Sequence, residues 1–234
     1  MPNPIDDTII FSLGPFPVSR IMIVTWCVMG AIILFAAILR AMLRTDNPGK
    51  AQQMMETILG WLGEEIRNII GRRPEPFIPL VASLFIFILV ANLTSLVSPL
   101  VPGLKPPTAD VTTAAALASV VFLAVPFYGI AITGTGSYLK TYVKPVFIML
   151  PFNIISDVSR TLALAVRLFG NMLSGEILFG VLLALVPLLL PLPLMFLSLI
   201  TGTIQAYIFA VLTIVYIGGA VKVAKKHEAK EAVQ

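Results

Sequence analysis

Asp157, Arg160, Arg167 and Glu176 are four ionisable side chains in an otherwise apolar stretch, "SDVSRTLALAVRLFGNMLSGE" (156–176). A guanidinium keeps its proton at any working pH, whereas a carboxyl can gain or lose one. A fixed positive charge among titratable acids is the equipment of an ion or proton relay. It is costly equipment in hydrocarbon, because a central Arg is unfavourable by about 2.5–3.5 kcal/mol on insertion scales. Arg160 has Asp157 three positions back and can pair with it, or snorkel toward an interface. Arg167 has no acid at three or four positions on either side and lies deeper in the run. Its cost therefore points to function or to a partner from another chain. Glu176 suits a relay or a hydrogen bond between helices.

On a helix turning 100° per residue, Asn153, Ser156, Arg160, Arg167, Asn171 and Ser174 share one narrow sector, with Glu176 nearly opposite Arg167. On the last apolar segment Ser198, Gln205 and Tyr216 share a face. Two such stripes can line a wet path, or they can glue helices together, as the amides Asn171 and Gln205 commonly do.

These residues need membrane-spanning elements to hold them. The 234-residue chain is 58% hydrophobic and only 12% charged, against about 25% charged in soluble domains. That predicts an integral, all-α membrane protein. The single cysteine, Cys27, excludes a disulfide framework, and the single histidine, His227, leaves no His/Cys metal cluster. The pI near 9.3 reflects positive residues scattered between apolar segments, which is a topology signal rather than a nucleic-acid surface. "GTGSYLKT" (134–141) imitates a phosphate loop, but Leu139 stands where glycine must precede Lys-Thr. No nucleotide or cofactor site is visible.

Residues 1–20 carry Asp6 and Asp7 and no basic start, so they read as a polar lead rather than a cleavable signal. The first span is expected over 21–44. Residues 47–73 follow as an amphipathic interfacial helix anchored by Trp61, a helix docked on a soluble partner being the alternative. A helical domain covers 77–221, with spans at about 77–98, 111–135, 146–186 and 194–221, and a polar tail covers 222–234. The run from Phe152 to Val186, bracketed by Pro151 and Pro187, makes about 52 Å of helix, far more than a perpendicular crossing needs. One long tilted helix is expected, with the last span folded back on it as a hairpin. With the N-terminus outside, 12 Lys and Arg fall inside and two outside, which predicts five spans and a cytoplasmic C-terminus.

"LALAVRLFGNMLSGE" (162–176) and "IQAYIFAVLTIVYIGGA" (204–220) resemble the signature of subunit a of rotary F-type ATP synthases. "PFNIISDVSR" (151–160) and "VPGLKPPTADVTTAAALA" (101–118) also fit, so the likeness covers about residues 75–221. The resemblance implies a stator of the membrane sector, pressed against a rotating c-ring and joined to peripheral-stalk b subunits and the remaining complex. In that family the arginine of "RLFGN", here Arg167, faces the ring carboxylates, and two half-channels deliver and collect the ion. Glu176, Gln205 and Asn171 match family relay positions. An upstream family glutamate falls on Ser156 or Asn153, with its neighbouring acid on Asp157, and Ser198 stands where some bacterial members have histidine. The relay on one side is therefore built differently. The implied setting is a bacterial inner membrane. A self-contained secondary transporter using the same charges is the rival reading, although no internal repeat supports it; a structural scaffold would not need a central arginine.

Overall fold

The computed structural model describes residues 9–13, 16–43, 49–71, 74–98, 104–136, 138, 149–185 and 191–231. Arg44, Arg72, Arg73, Lys140 and Lys144, which carry much of the charge bias, lie outside them, as do the lead up to residue 8 and the segment 186–190. The described chain is helical apart from one hairpin. In it β1 (Ile9–Leu13) pairs antiparallel with β2 (Phe16–Ser19), Leu13 opposite Phe16. The dipeptide between them in sequence is Gly-Pro, a turn former.

Helix α1 (Arg20–Ala41) starts at Ser19, whose Oγ accepts from the Met22 amide. It is apolar all round and mostly exposed, as suits a span facing lipid. Helix α2 (Lys50–Ile70) ends at Gly71, whose φ of 71° takes the left-handed cap that a Cβ would strain. Helix α3 (Ile78–Val97) has a proline in its first turn, where a missing N–H costs nothing. A 3₁₀ turn, Pro107–Ala109, leads to Asp110, which caps α4 (Val111–Thr133) by accepting from the Thr113 amide at 3.1 Å. Pro126 interrupts the hydrogen-bond ladder of α4. Helix α5 runs 37 residues, Met149–Leu185, or about 55 Å. Helix α6 spans 41 residues, Pro191–Glu231. It continues past its apolar segment because Ala, Lys and Glu follow, all good helix formers. Among the described residues α1, α3, α4, α5 and α6 are long and apolar enough to cross a membrane.

The amphipathic α2 does more than lie at an interface. Its Leu62, Ile66 and Ile70 are buried in the same core as Phe85, Ile88 and Ile214. Trp61 stacks on Tyr207 of α6 at 5.2 Å and on Phe85 of α3 at 6.2 Å. The apolar face thus finds its partner within the chain, and α2 clasps α3 and α6.

Helix α6 is the hub, packed on α2, α3, α4 and α5. Small residues let the backbones close in. A Cβ on Gly202 would lie 2.9 Å from Met172 Cε and 3.0 Å from Asn92 Cβ, so α3, α5 and α6 converge there only because the residue is glycine. Gly202→Val should overpack this point by about 1–3 kcal/mol. Thermal unfolding of the detergent-solubilised protein should show a lowered Tm.

Candidate functional site

Helices α5 and α6 run antiparallel, and three contacts set their register. A Cβ on Gly175 would meet Ser198 Oγ at 3.3 Å, Asn171 Nδ2 reaches the Thr201 carbonyl at 3.5 Å, and the Arg160 guanidinium lies 5.6 Å from the centre of the Tyr216 ring. Interpolating along that register brings Gln205 opposite Leu168. The polar stripe expected on α6 is accordingly divided among three environments.

Toward the start of α5, a cavity of about 270 Å³ opens between α4, α5 and α6. Its polar wall is Asp157, Arg160, Thr161 and Tyr216; Val121, Phe122, Val125, Pro126 and Ile154 make the rest largely apolar, and the buried Tyr138 closes one side. Arg160 pairs with Asp157 (Nη2 to Oδ1, 3.6 Å) and donates to Ser156 Oγ at 3.2 Å. Of the two fates open to Arg160, pairing is the one adopted.

Toward the other end, a smaller cavity of about 50 Å³ is bounded by Asn171, Gly175, Glu176, Ser198, Thr201, Ser95 and Ser98. Glu176 is half-buried there, and Lys105 lies near enough to act on it electrostatically. The two acids, Asp157 and Glu176, are separated by about 28 Å along α5.

Between the cavities the packing is close and mostly apolar. Leu164 and Leu168 of α5 are fully buried with Ala206, Phe209 and Ala210 of α6 in the central core. Arg167 lies on this stretch, lines neither cavity, and is exposed on the outer face of α5 together with Leu162, Ala163 and Val166. Among the described residues it has no hydrogen bond and no ion pair. Gln205, by contrast, is 6% exposed, and its Nε2 has no hydrogen-bond partner among the described residues.

Two polar residues escape a helical-wheel reading. Asn92, 2% exposed, donates to the Gly202 carbonyl at 2.8 Å and accepts from Thr108 Oγ1 at 2.7 Å. The bond ties the Pro107–Ala109 turn to α3 and α6, beside the smaller cavity. Ser98 likewise donates to the Leu104 carbonyl. Only an uncharged Asn inside an apolar run could have flagged the first of these.

Among the described residues, five helices able to cross a membrane, with an exposed arginine on one of them between two small cavities, define a multi-pass membrane protein. Comparison with known proteins gives the family. The ATP synthase A chain family matches residues 22–218, and the chain belongs to it. The chain is 45% identical to "ATP synthase subunit a 1" of Prosthecochloris aestuarii over 218 residues, covering 93% of this chain and 96% of that protein. It is 42% identical to "ATP synthase subunit a 2" of Acaryochloris marina over 219 residues (93% and 92% covered). With "ATP synthase subunit a" of Albidiferax ferrireducens it shares 40% over 218 residues (93% of each).

The lone amide offers a check. Because Nε2 of Gln205 gains no hydrogen bond among the described residues, Gln205→Leu removes a desolvated donor. Thermal unfolding in detergent should find the variant within about 0.5 kcal/mol of the parent, or more stable. A loss of several kcal/mol would make the amide a structural requirement.

Proposed function

We propose that this chain is the stator subunit of the membrane sector of a rotary F-type ATP synthase, with Arg167 as its stationary charge. The observation that carries the reading is the placement of Arg167, exposed on α5 between two cavities that each hold a carboxylate, and unpaired among the described residues. Carboxylates on a neighbouring c-ring would supply the partner that its guanidinium lacks there. An ionised ring carboxylate is costly against lipid, so it must take up its ion before it turns away from the stator. Facing Arg167 it is stabilised in the charged form and gives up that ion. Arg suits the post better than Lys because it cannot release its own proton into the path.

The cavities then serve as two access paths on opposite sides of the membrane. Asp157 belongs to the path at the start of α5, and Glu176, Asn171 and Ser198 to the other. Leu164, Leu168 and Phe209 fill the space between them, so the ion crosses only by riding the ring. Gln205, buried behind this seal at the level of Leu168, is held available for the arginine or the ring. The charge bias supports a topology with the start of α5 and the end of α6 in the cytoplasm and the β-hairpin outside, and the setting proposed is a bacterial inner membrane. The b subunits would join the chain in the stator, and the remaining complex would carry the ring and the nucleotide sites. The chain itself binds no nucleotide; the chemistry of ATP belongs to other subunits.

ATP-driven ion uptake into vesicles holding the purified complex tests this reading. Arg167→Ala should abolish driven uptake in a complex that still assembles, and Arg167→Lys should leave only a small residue of it. Running the assay with and without Na⁺, and with a protonophore, identifies the ion. Undiminished coupled uptake by Arg167→Ala would leave the arginine a structural role and favour a self-contained transporter.

A further inference from the structure

Arg160 is the charge that the stator mechanism leaves without a task. Its guanidinium gathers three contacts: Asp157 Oδ1 at 3.6 Å, Ser156 Oγ at 3.2 Å, and the Tyr216 ring centre at 5.6 Å. The first two lie on its own helix, and the third comes from α6. Asp157, Arg160 and Tyr216 all face the same cavity of about 270 Å³, and its remaining walls are mostly apolar.

An exposed ion pair three residues apart on a helix adds little to stability. The fold is therefore a weak reason to place two charges in this chamber, and it gives no reason for the aromatic platform from a second helix. In a chamber with few polar walls, the carboxylate decides where a cation rests. A guanidinium beside it has two effects. It holds the carboxylate in one orientation, and it brings the net charge of the wall to zero, so that a cation is received without being trapped. Tyr216 keeps the guanidinium in place through the attraction between a cation and the face of an aromatic ring.

We propose that Arg160, seated on Tyr216, is a positioning residue that orients the Asp157 carboxylate as the resting place of the cation in the cavity between α4, α5 and α6. The proposal rests on the access-path reading above. Without Arg160 the carboxylate loses one of the contacts that orient it and the wall gains a net negative charge that holds the cation, so ion exchange with the chamber slows. Without Asp157 the wall carries a lone positive charge that repels the cation. Both losses interrupt the same step, so their effects do not multiply. Arg160→Lys keeps the charge and the ring contact but loses the planar fork.

The test uses the whole complex in vesicles, with ATP-driven uptake followed by a pH-sensitive dye and, in parallel, by radioactive sodium. Arg160→Gln should slow uptake about fivefold, and Arg160→Gln combined with Asp157→Asn should be no slower than the worse single variant. Arg160→Lys should recover at least about half of the parent rate. A simple helix brace would instead lower the Tm of the complex and leave the uptake rate of what assembles unchanged. If Arg160→Gln fails to assemble, Tyr216→Leu decides, since it removes the platform and leaves both charges: slowed uptake supports the proposal and an unchanged rate overturns it. Wild-type uptake by Arg160→Gln, or effects that multiply with Asp157→Asn, also overturns it. Arg167→Ala in the same preparation separates the two failures. Its loss of uptake beside an unaffected Arg160→Gln sinks only the role of Arg160, whereas coupled uptake by Arg167→Ala sinks the stator reading itself.

Discussion

A guanidinium in a low-dielectric layer can neither shed its proton nor be left cheaply without a counter-charge. The arrangement around Arg167 follows from that constraint. The arginine is kept on an exposed helix face, where a partner from outside can reach it, and out of both cavities, where a small ion would meet it directly. Behind it the contacts are apolar: Leu168 at 0% exposure and Leu164 at 1% lie in one core with Phe209. Water on that side would screen the charge and join the two cavities. The apolar packing does the opposite, and a charge backed by apolar side chains is screened less than one backed by water.

That packing depends on how closely α5 and α6 approach, and small residues set the distance. Gly175 sits against Ser198, and Gly202 sits against Met172 and Asn92. Gly218 receives Ile70 of α2, where an added Cβ would come within 3.3 Å of Cγ1. In hydrocarbon there is no hydrophobic drive between helices, so van der Waals fit and buried hydrogen bonds carry the association. The Thr108–Asn92–Gly202 chain is one such bond set, fully buried and fully paired on its side-chain oxygens. It fixes the turn beside the smaller cavity to the helix that forms the other wall. The fold and the two cavities therefore share residues, and loosening one helix crossing would disturb both.

Much of this was legible in the residues themselves. Uncharged runs of about 20 residues are long enough to be spans, the period of Leu62, Ile66 and Ile70 marks α2 as amphipathic, and an arginine without a nearby acid singles out a candidate site. What stayed hidden required three dimensions. A helical wheel puts Ser198, Gln205 and Tyr216 on one face, but that face passes a cavity, a dry core and a second cavity in turn. Periodicity showed that α2 has an apolar face without showing that α3 and α6 cover it. The hairpin of β1 and β2 stands on short strands, the second interrupted by Pro17, with little alternation to announce it. Asn92 looks in sequence like one tolerated amide among many; its importance is visible only when Thr108 and Gly202 are seen on either side.

Gln205 is where the requirements of folding and transport separate most clearly. Asn92 is equally buried and satisfies its neighbours, so folding alone can account for it. The Gln205 amide is desolvated at the centre of the helix pair, and among the described residues its nitrogen has no acceptor. Such a donor is destabilising where it stands. On the stator reading its place is intelligible, because it lies at the level of the seal, one helix behind the face that carries Arg167. There it can accept from the guanidinium through its oxygen or donate to a ring carboxylate through its nitrogen, according to which of them approaches. A group free to bond either partner cannot be fully committed to the fold.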